Sequence, residues 1–263
     1  AGISIGALKA AIIAGSPVAE RVERLRTFWE TICAAPVEWP AGEGLADAMP
    51  FAFDLRSLHN AAAAMRALFQ GQPGFFKPRF PPPFWSPFSG DAATSFYDTS
   101  PLAQTLERFV DFDRLNAGET RVSVGAVNVR TGNLVYFDTA ERRLGPKHFM
   151  ASGALPPGFP AVEIEGEHYW DGGMVSNTPL SRVLSGEPRD TLTFQIDLWS
   201  AKGRVPYDLM ELSSRQKDIQ YSSRTRAITD HAARMQKMRQ AIQRLLDELP
   251  EAAKDDPEIR AIT

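Results

Sequence analysis

Gly2-Ile3-Ser4-Ile5-Gly6 fits G-x-S-x-G, the pattern in which a sharp strand-to-helix turn thrusts a serine hydroxyl out as a nucleophile. A serine hydroxyl is weakly nucleophilic unless a base lies within hydrogen-bond reach. The flanking Gly2 and Gly6 let the backbone bend where a Cβ would clash. Ala7 to Ala14 consists of good helix formers and ends at Gly15, so Ser4 is expected at the start of a helix. Only Ala1 and Gly2 stand where the preceding strand should be. Far downstream, Asp171-Gly172-Gly173 follows the apolar pair Tyr169-Trp170. An aspartate before two glycines sits on a turn that frees its carboxylate and admits close backbone approach. Alone, that tripeptide reads as a hairpin turn; its freed carboxylate adds weight to the elbow, whose serine still needs a base.

The four histidines decide whether an imidazole competes for that role. His168 lies three residues before Asp171 on the same expected strand, so its side chain should face the other way. His59 falls in an alanine-rich helix beside Asn60, and His148 in a stretch of small residues. His231 completes the order Ser…Asp…His of the α/β hydrolases, but its neighbours continue a helix rather than a strand and loop. No HExxH, CxxC or P-loop pattern occurs, so neither metal nor cofactor is expected. The net charge of −3 gives no reason to expect nucleic acid as a partner. Cys33, the single cysteine, excludes an internal disulfide and fits a reducing compartment, read as cytoplasmic with at most peripheral membrane contact. No apolar run approaches the ~20 residues that cross a bilayer, while a signal peptide upstream stays open.

The elements that must position these residues read as a mixture of helices and strands. A helix is expected from Val18 to Ile32, with Val22, Leu25, Phe28, Trp29 and Ile32 on one face and Pro36 and Pro40 beyond it. Others are expected from Leu58 to Phe69 and after Ser100-Pro101. Arg121 to Val129 and Leu134 to Phe137 flank Thr131-Gly132-Asn133 as a hairpin; Val162 to Ile164 and His168 to Trp170 flank Gly166 as another. Thr191 to Leu198 reads as a last, buried strand. Between Gln72 and Phe88, prolines forbid helix and central strand alike. There Phe75, Phe76, Phe80, Phe84 and Trp85 form either a packed lid or a lipid-contacting one, with Lys77 and Arg79 near enough in sequence to meet head-group phosphates. Ser213 to Leu249 carries Ile228, Met235, Ile242 and Leu249 at intervals of seven. That stripe suits an amphipathic helix packed on the preceding domain, and leaves homodimerisation through it open. The boundary falls between 1–204 and 205–263.

The elbow, Ala151-Ser152-Gly153-Ala154-Leu155-Pro156, and Asp171-Gly172-Gly173-Met174-Val175-Ser176-Asn177-Thr178-Pro179 together resemble the patatin-like phospholipases, in that order along the chain. Gly15-Ser16-Pro17, the run from Arg21 to Trp29, and Gly158-Phe159-Pro160 add to the likeness. It covers about residues 1 to 200; the tail resembles an uncharacterised domain that follows such domains in bacterial members. The resemblance implies a three-layer α/β/α fold on a mixed, mostly parallel sheet, here without its first strands. It implies a histidine-free dyad, with Ser4 as nucleophile and Asp171 as proton acceptor. It implies a lipid ester as substrate, no cofactor, and an oxyanion hole that includes the Ile5 N–H and a glycine-rich loop ahead of the elbow. With that loop outside this sequence, the expectation is a poor enzyme. The rival readings are a non-catalytic, membrane-associated scaffold and a Ser–His–Asp esterase using His231.

Overall fold

The computed structural model describes residues 1–33, 55–85, 93–185 and 192–249. Pro36, Pro40, Pro87, Phe88 and Thr191 lie outside them. Two compact units divide the chain, Ala1–Pro179 and Leu180–Thr263.

The first unit is organised by one strand. β4 (Ser123–Asn128) is buried along its whole length, because it has neighbours on both edges and side chains packed on both faces. It pairs in parallel with β1 (Gly2–Ile3), and antiparallel with both β5 (Leu134–Asp138) and β7 (Glu167–Asp171). β6 (Val162–Ile164) pairs antiparallel with β7. β2 (Lys77–Pro78) and β3 (Tyr97–Asp98) form a separate two-stranded ladder. The α/β class holds and the sheet is mixed. The parallel majority expected from the sequence is not found among the described residues, where β1–β4 is the one parallel ladder. The reason is local: both expected hairpins form, and a hairpin can only make antiparallel pairs. The Asn128 carboxamide oxygen accepts from the N–H groups of Arg130 and Thr131 to fold the first turn. Glu165 and Gly166 turn the second, both with positive φ (53° and 81°), as a two-residue connection requires.

Helix α1 (Ile5–Ala14) carries Ala7, Leu8, Ala11 and Ile12 into the core. There they join Phe28 and Ile32 of α2 (Arg21–Ile32), Leu106 and Phe109 of α4 (Ser100–Phe109), and Phe149 of α6 (Pro146–Ser152). The segment expected to be helical from Val18 begins instead with a 3₁₀ turn, Val18–Glu20, and Val22 and Trp29 of its apolar face stay exposed. α3 spans Leu55–Gln70 and α5 Phe112–Asn116.

The second unit holds α7 (Leu180–Leu184) and the long α8 (Leu209–Asp247), which Asp208 caps by accepting the Glu211 N–H. Along the heptad stripe Ile228, Met235, Ile242 and Leu249 are half-buried, whereas Met238 and Leu245 are exposed. The strand expected to end at Leu198 is absent: residues 192–198 are irregular, and Leu192, Phe194 and Ile196 are exposed. Alternation supplies a strand's side chains but not its neighbour, and the sheets contain no ladder to this segment among the described residues. Side chains hold it along α8 instead, with Gln195 bonded to Thr229 and Trp199 stacked on Tyr221 at 4.8 Å.

Candidate active site

β5 runs beside β4 from Ser123 to Val127, so it takes up one edge of that strand. β1 lies opposite Val124 and Gly125, and β7 opposite Ala126 to Asn128. Both must therefore use the other edge, where they point at each other: β1 parallel to β4 and ending at Ile3, β7 antiparallel and ending at Asp171. The residue just past the end of one strand meets the last residue of the other. The Ser4 hydroxyl donates to Asp171 Oδ2 at 2.6 Å, across a sequence separation of 167 residues.

Ser4 holds φ 54° and ψ −129°. A non-glycine residue at positive φ outside a helix-like well costs about 1–3 kcal/mol, and such strain clusters at functional sites. Ser4 is also the N-cap of α1, yet its hydroxyl caps no helix N–H, being turned to Asp171 instead. Ala7 and Leu8 donate the first intrahelical bonds, to the Ser4 carbonyl. The N–H groups of Ile5 and Gly6 precede them, at the positive end of the helix dipole.

Asp171 is buried, and the loss of hydration raises its pKa above the ordinary aspartate value. Hydrogen bonds from the Ser4 hydroxyl and the Gly173 N–H work against that rise. The second of these, at 2.7 Å to Oδ1, fixes the carboxylate's free rotation. The glycines have distinct reasons. A Cβ on Gly2 would lie 2.6 Å from the Gly6 carbonyl oxygen, and one on Gly172 would lie 2.5 Å from that of Gly125. Gly173 is less constrained, a Cβ there standing 3.0 Å from Asp171 Oδ1. A Cβ on Gly6 would meet nothing within 4 Å, so close packing does not demand glycine at that position.

A family model described as patatin-like phospholipase matches residues 1–184. The chain belongs to the patatin-like phospholipases. A second model, described as patatin phospholipase, matches residues 219–263. No curated protein matches the chain. Membership of the patatin-like phospholipases implies a lipid acyl hydrolase. No helix among the described residues is long and apolar enough to cross a membrane.

The other residues singled out from the sequence separate into groups. Phe75 and Phe76 are half-buried in a cluster with Tyr97 and Phe159, the closest centroids being 4.7 Å apart for Phe76 and Tyr97. Phe80, Phe84 and Trp85 project, at 92%, 79% and 75% exposure. Lys77 is turned to Asp98 at 3.2 Å, and the Arg79 guanidinium donates to the Ser95 hydroxyl. His168 is exposed and opposite Glu163. No group of His, Cys, Asp and Glu that could hold a metal ion occurs among the described residues. Sequence reasoning assigned no role to Ser152, whose buried hydroxyl accepts the Ser4 N–H at 2.9 Å. The motif around it drew notice, but a serine among small residues carries no signal of its partner.

Proposed function

We propose that the protein is a serine lipid acyl hydrolase of the phospholipase A or esterase type, cleaving carboxylic esters through a Ser4–Asp171 dyad and an acyl-enzyme. The observation that carries this reading is the direct Ser4–Asp171 hydrogen bond of 2.6 Å. A triad interposes an imidazole between serine and carboxylate, and that distance leaves no space for one.

In the reaction, Ser4 Oγ attacks the ester carbonyl carbon while its proton passes to Asp171 Oδ2. The tetrahedral oxyanion is received by the N–H groups of Ile5 and Gly6 at the head of α1. Collapse expels the alkoxide, which takes the proton from Asp171 and leaves as the alcohol. Water then gives a proton to Asp171 and attacks the acyl-enzyme carbon; Ser4 leaves, regains the proton, and the carboxylic acid is released. Aspartate is a feeble base when hydrated, at a pKa of ~3.9. Burial of Asp171 makes it a stronger one. Esters suit such a base because their leaving groups need less assistance than amines.

A fluorophosphonate is expected to label Ser4, and phospholipid or acylglycerol substrates to release free fatty acid. Neither labelling nor release would favour the non-catalytic scaffold. Loss of activity in His231→Ala, with the fold retained, would restore the triad.

Exposed Phe80, Phe84 and Trp85 support peripheral contact with a lipid surface; Phe75 and Phe76 serve instead as the packed base of that segment. Burial of a large ring in an apolar phase is worth about 1.5–3 kcal/mol, or tenfold and more in affinity. Phe84→Ser/Trp85→Ser is therefore expected to weaken binding to phosphatidylcholine vesicles by about 10²-fold or more, leaving hydrolysis of a short soluble ester unchanged. Unchanged vesicle binding would assign these rings to packing.

A further inference from the structure

Ser152 closes α6 and is fully buried, with two hydrogen bonds to its hydroxyl. It accepts the N–H of Ser4 at 2.9 Å and donates to the carbonyl of Gly125 at 2.6 Å. Gly125 is the β4 residue opposite Ile3, beside the point where that edge passes from β1 to β7. Its carbonyl oxygen is also the atom that a side chain on Gly172 would strike, at 2.5 Å. Two residues beyond Ser152, the Ala154 carbonyl accepts the N–H of Asp171 at 3.0 Å. One short segment thus holds the main chain of both reacting residues.

We propose that Ser152 is a positioning residue for the nucleophile, its hydroxyl tying the backbone of Ser4 to the β4 carbonyl that abuts the Asp171 turn. This rests on the Ser4–Asp171 reading of the site. The bond from the Ser4 N–H holds the Ile3–Ser4 peptide plane. Rotation about N–Cα of Ser4 sets where its Oγ points, and φ there is 54°, away from the broad minima. A bond to the N–H on that axis resists relaxation toward negative φ, and a fixed donor to Gly125 keeps the acceptor from following. The same bond occupies the Ser4 N–H, so oxyanion stabilisation falls to the N–H groups that come after it.

Ser152→Ala is expected to lower kcat for a soluble ester about 10–100-fold, the loss that comes with misplacement by a fraction of an ångström to one ångström. KM should change little. The acid limb of the pH–rate profile should move to higher pH, because a displaced Ser4 hydroxyl no longer donates its pKa-lowering bond to Asp171. Ser152→Cys, of similar size with a poor donor, should do the same and carries the comparison if the alanine variant does not fold. A folded variant with wild-type kcat and an unmoved acid limb overturns the proposal. So does a loss of kcat with the acid limb unmoved, which would make the role structural alone. Wild-type protein that fluorophosphonate does not label at Ser4 would instead overturn the dyad reading. Labelled wild type with an unaffected Ser152 variant overturns only this inference.

Discussion

Ser4→Ala is expected to reduce kcat for ester hydrolysis by on the order of 10⁴-fold or more, with the fold retained. On the proposed mechanism alanine removes the atom that forms the acyl-enzyme, while the main-chain bonds of the elbow survive: Ser4 N–H to Ser152 and the Ser4 carbonyl to Ala7 and Leu8. Loss of the hydroxyl also removes the donor that Oδ2 of buried Asp171 faces, so the variant should gain no stability from the change. Ser4→Gly separates the chemical role from the conformational one. Both variants lack the nucleophile, but glycine takes φ 54° and ψ −129° without a Cβ penalty. Ser4→Gly should therefore be more stable than Ser4→Ala by about 1 kcal/mol or more. Denaturant unfolding of the two would measure that difference directly. Equal stabilities would mean that the elbow stores no strain, and more than a tenth of the activity in Ser4→Ala would remove the assignment of the nucleophile.

What the sequence disclosed follows how local each feature is. The two ends of the Ser4–Asp171 hydrogen bond were legible because each is bracketed by glycines whose need is steric, Gly2 before Ser4 and Gly172 after Asp171. The hairpin that returns β7 was legible in Gly166, since a tight reversal calls for positive φ. The sharing of one β4 edge by β1 and β7 was not, because it is a relation among three segments that only their pairing creates. Ser152 was missed for the same reason: its partner lies 148 residues away, and the serine sits in a helix that the sequence did not signal. Residues 192–198 show the opposite failure, a strand pattern that finds no neighbouring strand: its apolar side chains stay exposed, and Gln195 bonds to α8. The aromatic segment divided because Phe76 finds rings to pack on in Tyr97 and Phe159, while the rings after Pro81 project into solvent.

Asp171→Asn carries the other large effect, and it should move activity and stability in opposite directions. Removal of a positioned general base costs about 10²–10⁴-fold in rate. Asparagine can keep both contacts of the carboxylate. Its oxygen would accept the Gly173 N–H, and its amide would donate to Ser4 Oγ. The serine proton then has no acceptor, so kcat falls while the packing survives. Stability follows from the direction of the Asp171 pKa, which burial raises in the folded state. Between the ordinary value of ~3.9 and the raised one, the folded protein binds more protons than the unfolded chain. This group's contribution therefore becomes less favourable as pH rises through that window and is fully unfavourable above it. The neutral amide escapes that cost, so Asp171→Asn should melt at or above the wild-type temperature at neutral pH. Its advantage should shrink as pH falls, because the wild-type carboxyl itself becomes neutral. On the proposed mechanism the same ionisation governs catalysis, since only the carboxylate can take the Ser4 proton. The acid limb of kcat/KM should therefore lie above the pH at which a hydrated aspartate titrates, and it should vanish along with the activity in the asparagine variant. An acid limb at the ordinary aspartate value, or a variant that melts well below wild type at pH 7, would show that burial does not raise the carboxyl's pKa; near-wild-type kcat in Asp171→Asn would show that the carboxylate is not the base.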